Sequence, residues 1–76
     1  MKYHVNEMKT FSIQLKQIRL KNKMTQEETA KALGMPLNTY RNYEALGSGH
    51  RMPSHAMVLK MAELFGVTID ELFGKR

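Results

Sequence analysis

Apolar residues recur three and four positions apart through most of this 76-residue chain, the spacing that gathers them on one face of an α-helix. Met8, Phe11, Leu15 and Ile18 form the first stripe, with Ile13 and Leu20 extending it, and predict a helix from about Thr10 to Lys21. Ala30 and Leu33 supply the inner face of a shorter second helix. In a third, about 100° per residue puts Thr39, Tyr40, Tyr43 and Leu46 on one side and Leu37, Asn38, Arg41, Asn42 and Ala45 on the other. A fourth, from Ser54 to Phe65, turns Met57, Met61 and Leu64 inward with Val58, Ala62 and Phe65; its methionines read as fillers of core gaps. A short fifth ends at Phe73. Only Tyr3 and Val5, alternating with Lys2, His4 and Asn6, carry a trace of strand periodicity. The expected fold is all-α, five helices in one compact domain at residues 10–74, preceded by an arm at 1–9 and followed by a basic tail at 75–76. The arm is either loosely held, or a strand paired with a second subunit, or a segment that touches a ligand.

Local signals set the helix ends. Thr25 and Glu28 have the spacing of a capping box, and so have Thr68 and Glu71. Gly34 tolerates the left-handed conformation that closes a helix, and Pro36 has a preset φ suited to a first helical turn. Gly47 can end the third helix, and the loop formers of GSGHRMPS lead to Pro53 and Ser54 at the start of the fourth. Gly66 closes that one. Thr25 to Leu46 therefore reads as two short helices about a tight turn, the helix-turn-helix arrangement whose second helix can enter the major groove of DNA. The outer face of the third helix has two amides, a guanidinium and small or branched apolar groups instead of an idle Lys/Glu mixture. Asn can bond bidentately to adenine, Arg to guanine, and Leu or Ala can touch the thymine methyl.

From Phe11 to Phe73 the chain resembles the phage repressor and Cro class of helix-turn-helix domains, the XRE type. The segments IRLKNKMTQEETAKALGM, TYRNYE, RMPS and LFGVTIDELF carry the resemblance together. It implies a lambda-repressor-like fold, a prokaryotic or phage source, and DNA as ligand. The residue matching Gln26 contacts a phosphate or a base edge, and those matching Leu37, Asn38 and Asn42 face the bases. Arg19 and Glu44 are expected to pair as a structural clamp across 25 residues of chain. With Arg41 added from the helix geometry, the expected base contacts are Gln26, Leu37, Asn38, Arg41 and Asn42. The expected phosphate contacts are Lys23, Thr25, Tyr43, Ser48, His50 and Arg51. Val67, Ile69, Leu72 and Phe73 exceed the apolar surface that one helical turn needs, and are either core or a homodimer seam. Three features depart from the family pattern. Thr29 replaces Leu and needs a polar partner if it faces inward; Tyr40 and Tyr43 replace aliphatic residues or Trp, their rings read as core with hydroxyls at the rim near phosphate; and the loop after Leu46 is longer.

Charge strengthens the same reading. Residues 1–60 hold ten Lys/Arg against four Asp/Glu, and the net charge of the chain is +5. A polyanion is the natural partner of such a surface, because each phosphate neutralised releases condensed counterions. With no Cys there is no disulfide, which suits a reducing cytoplasm. The longest apolar run, Ala56 to Leu59, is far short of the roughly 20 residues of a membrane span, so a soluble, untargeted protein is expected. No nucleophile or acid/base constellation, no phosphate-binding loop and no metal-spaced histidine pair is present, since His4, His50 and His55 lack the i, i+4 spacing. Neither an enzyme nor a cofactor is expected.

The sequence thus points to a sequence-specific transcription regulator, most simply a repressor, binding a palindromic operator as a homodimer. The alternative is a protein-interaction module, such as the antitoxin of a toxin-antitoxin pair, with secondary DNA binding.

Overall fold

The computed structural model describes residues 5–46 and 51–75. Its helices are α1 (Val5–Lys21), α2 (Gln26–Leu33), α3 (Leu37–Glu44), α4 (His55–Phe65) and α5 (Ile69–Leu72). Among the described residues there is no strand, and no helix is long and apolar enough to cross a membrane. Ser48, His50 and Gly47 lie outside the described residues, as do His4 and Arg76.

The capping chemistry is in place. The Thr25 hydroxyl accepts from the Glu28 N–H at 3.0 Å while Glu28 Oε1 accepts from the Thr25 N–H at 2.8 Å, which satisfies two of the donors that a helix start leaves open. Thr68 and Glu71 repeat the box at α5, and the Ser54 hydroxyl accepts from the Met57 N–H at α4. Gly34 ends α2 at φ 75°. Lys60 Nζ donates to the Leu33 carbonyl at that end, a cation at the negative pole of the helix. Pro36 is the N-cap of α3, one residue before its first turn. α1 ends without a glycine: Lys23 takes φ 57°, its N–H bonding to the Leu20 carbonyl and that of Met24 to the Arg19 carbonyl.

The core gathers Phe11 and Leu15 of α1, Ala30 and Leu33 of α2, Tyr40 of α3, Val58, Met61, Ala62 and Phe65 of α4, and Leu72 of α5. Two buried polar side chains find partners. Thr29 Oγ1 donates to the Thr25 carbonyl one turn back, and Ser12 Oγ donates to the Tyr43 carbonyl, tying α1 to the end of α3. α5 lies on α1 through Phe73, whose ring centre is 5.1 Å from that of Phe11. Gly74 follows in the left-handed region, and a Cβ there would meet Thr10 Cγ2 at 2.9 Å.

Several expectations need correction. α1 begins at Val5, so part of the supposed arm is helical; the segment contains no Pro or Gly, and Met8 continues the half-buried side of the stripe. Ile13 and Leu20 are exposed, because about 100° per residue carries both to the side opposite Phe11. Ser12 and Arg19, seven apart, occupy the buried flank instead. α3 stops at Glu44 with Ala45 extended, which leaves Leu46 exposed and off the inner face. The glycine cap is dispensable there because the carbonyls of Asn42 and Tyr43 accept from the Arg51 N–H and the Ser12 hydroxyl. Leu72 is 0% exposed and belongs to the core, so it has no surface to offer a second subunit. Val67, Ile69 and Phe73 pack on that core while remaining partly exposed.

The Thr25 backbone N–H, followed by its hydroxyl, holds the Glu28 carboxyl below its ordinary value of 4.5. A lowered folded-state pKa contributes stability above the unfolded value, and this is lost as pH falls through the folded one. In urea denaturation the stability gap between the wild type and Glu28→Gln is therefore widest at neutral pH and closes on acidification below about 4.5. A gap independent of pH through the carboxylate range would contradict the box.

Candidate nucleic-acid interface

Side chains from three helices meet at one carboxylate. Arg19 Nε of α1 donates to Glu44 Oε2 at 2.7 Å and its Nη2 to Oε1 at 3.1 Å, with side-chain exposures of 8% and 3%. Tyr40 Oη donates to Oε2 at 2.5 Å from one turn earlier in α3. Gln26 Nε2, at the first position of α2, donates to Oε1 at 3.1 Å. Arg19 also bonds through Nη1 to the Met24 carbonyl at 2.8 Å, which pins the α1–α2 turn. The bond to Glu44 raises the Arg19 pKa against the opposing effect of burial. Burial first, and the same carboxylate second, push the Tyr40 phenol well above its ordinary value, so it stays a neutral donor. The expectation that its hydroxyl sits at the rim near phosphate is corrected, since Tyr40 is fully buried.

This network turns the rest of α3 outward. At about 100° per residue Leu37, Arg41, Asn38 and Asn42 form a continuous arc, opposite Thr39, Tyr43 and Tyr40. Asn38 and Arg41 are exposed, and Leu37 and Asn42 half-buried at the flanks. The inward arc is held by Tyr40, whose ring meets that of Tyr43 edge-on at 6.5 Å. A shallow groove joins the two helices, lined by Arg19, Thr25, Gln26, Glu27, Leu37 and Arg41. Of the residues read from sequence as base contacts, Gln26, Leu37 and Arg41 come together there, with Asn38 and Asn42 further round the same arc.

The residues read as phosphate contacts are more dispersed. Lys23 and Thr25 are exposed in and just after the α1–α2 turn, and Tyr43 is half-buried on the inward side of α3. Arg51 lies beyond the long loop yet returns to α3, because its N–H donates to the Asn42 carbonyl at 2.9 Å. The parts that sequence reasoning missed are the Gln26 and Tyr40 bonds to Glu44 and the Ser12 latch. Their signals were spacing alone: Tyr40 and Glu44 stand four apart on one helix, Ser12 and Arg19 seven apart on another.

Comparison with known proteins agrees with this geometry. A family model described as helix-turn-helix matches residues 15–72. The HTH-type transcriptional regulator AnsR of Bacillus subtilis (strain 168) is 39% identical over 61 residues, which is 80% of this chain and 50% of that protein. The cryptic phage CTXphi transcriptional repressor RstR of Vibrio cholerae is 37% identical over 62 residues, covering 82% and 53% respectively. The chain thus spans about half the length of the curated relatives it matches. No solved structure matches it.

Removing one member of the buried pair strands the other. Arg19→Met is expected to cost about 3–5 kcal/mol in urea denaturation, and the double variant Arg19→Met/Glu44→Leu to regain most of that loss. A cost below about 1 kcal/mol for the single variant would assign the pair the weight of a surface contact.

Proposed function

The chain belongs to the helix-turn-helix family of phage repressor and Cro-like, XRE-type domains, and from that membership we propose that it is a sequence-specific DNA-binding transcription regulator. The observation that carries the reading is the outward arc of α3, with two amides and a guanidinium between Leu37 and Asn42 and a buried network behind them. In this reading α3 lies in the major groove, where Asn38, Asn42 and Arg41 meet base edges and Leu37 a thymine methyl. Lys23, Thr25 and Arg51 meet the phosphates, which position the domain without selecting sequence.

One helix of eight residues reaches only a few base pairs. The chain therefore acts as a homodimer on a near-palindromic operator, its reading helices about 34 Å apart on successive turns of the groove. Val67, Ile69 and Phe73 supply the apolar surface of the dimer seam, without Leu72. Occupying promoter DNA makes repression the simplest outcome, and the cytoplasm is where such a target is found.

Selection of bound oligonucleotides from a random pool, followed by affinity measurements at physiological salt, tests the assignment. Asn38→Ala and Asn42→Ala each lower affinity by about 1–3 kcal/mol and relax preference at one position, while Arg51→Ala weakens all sequences alike. Unchanged preferences in both Asn variants would overturn the base-reading role.

A further inference from the structure

α1 grips the end of α3 at two points, and the Glu44 carboxylate is only one of them. Ser12 and Arg19 stand seven apart, which at about 100° per residue puts them within about 20° of one line along α1 and about 10 Å apart on its axis. They reach consecutive residues of α3: Arg19 holds the Glu44 side chain, and the Ser12 hydroxyl donates to the Tyr43 carbonyl at 2.7 Å. One attachment would leave the end of α3 free to pivot about it, whereas two, separated along α1, fix its direction as well. A helix of eight residues is too short to hold its own last turn in water, and the final carbonyls of any helix lack partners within it. Those of Asn42 and Tyr43 are taken up from outside, by the Arg51 N–H at 2.9 Å and by Ser12. The turn held in this way carries Asn42. Asn38 lies a full turn earlier, where the Tyr40 N–H donates to the Pro36 carbonyl and the Tyr40 hydroxyl to Glu44.

We infer that Ser12 is a positioning residue for base recognition: through the Tyr43 carbonyl it sets where the last turn of α3 presents Asn42. This deepens the DNA-binding reading and rests on it. Ser12 is 0% exposed, so it has no surface to offer a ligand and acts only through α3. A methyl group in its place leaves the Tyr43 carbonyl without that donor, and the turn relieves the loss by shifting. Asn42 shifts with it, and a bidentate contact to a base edge depends on two hydrogen bonds of narrow geometry. Asn38, behind the Tyr40 and Glu44 bonds, keeps its place.

Oligonucleotide selection is run on the wild type, Ser12→Ala, Ser12→Cys, Asn42→Ala and Thr68→Ala at a temperature where circular dichroism reports each folded, and hydrogen exchange of the Arg51 amide is followed by NMR without DNA. Thr68→Ala removes the side-chain cap of α5 and lowers stability without touching α3. Ser12→Ala is expected to relax by roughly tenfold the position that Asn42→Ala relaxes, with preferences elsewhere retained. It also speeds Arg51 exchange several-fold, and Thr68→Ala does neither. Ser12→Cys keeps a weaker donor, falls between the wild type and Ser12→Ala, and carries the test alone if the alanine variant does not fold. If Ser12→Ala weakens all sequences alike, leaves every preference unchanged, or leaves Arg51 exchange unchanged, Ser12 serves stability only and the inference is overturned. The same relaxation in Thr68→Ala overturns it too, because any loss of stability would then suffice. A wild type that selects no sequence, or an Asn42→Ala variant that loses no preference, overturns the base-reading proposal itself. That failure is distinct from an Asn42 contact that survives without the Ser12 hydroxyl.

Discussion

The buried carboxylate of Glu44 is the constraint on which the rest of this fold depends. It collects hydrogen bonds from α1, α2 and α3, while Arg19, its charged partner, also fastens the turn between the first two helices. A buried ion pair is weak evidence for net stability, since desolvation offsets much of the attraction. Its effect here is directional. Apolar contacts in a small helical core tolerate some rotation of one helix against another, whereas five hydrogen bonds of fixed geometry around one arginine and one carboxylate do not. The inclination of α3 to α2, and with it the face that α3 turns to solvent, follows from that junction.

The apolar core and the polar junction divide the work. α4 supplies Val58, Met61, Ala62 and Phe65 to the interior, and α5 closes one side of α1 through Leu72 and Phe73. A chain of this size buries only about 60% of its unfolded surface, so few interior side chains are spare. Leu72 shows the consequence, because an apolar residue that would suit an interface is consumed by the monomer. Ser12 and Thr29 are kept inside at little cost, each giving its hydroxyl proton to a backbone carbonyl.

Much of this architecture was legible in the sequence where local chemistry decides it. The Thr25/Glu28 and Thr68/Glu71 boxes and the glycine stops at Gly34 and Gly66 concern neighbours in the chain, and each appears at its expected place. The outward arc of α3 followed from helix geometry alone. Errors arose where distant segments decide. Ile13 and Leu20 were drawn into the core by their apolar character, but α3 approaches the flank occupied by Ser12 and Arg19. α3 ends early because Arg51 and Ser12, from beyond its own segment, satisfy its last carbonyls. The sequence puts the Tyr40 hydroxyl at the rim, and the structure puts it on Glu44, because an acceptor four residues on is informative only once both are known to face inward.

Lys23 has a different bearing on how the chain tolerates change. It is an exposed side chain on a backbone at φ 57°, a conformation that costs an ordinary L-residue roughly 1–2 kcal/mol. Which residues are admissible there is governed by the main chain rather than by the surroundings of the side chain. Glycine or asparagine fits that bend with relief, and valine, isoleucine or threonine would strain it although the side chain is exposed. Surface position and mutational freedom, usually treated as equivalent, part company at this turn.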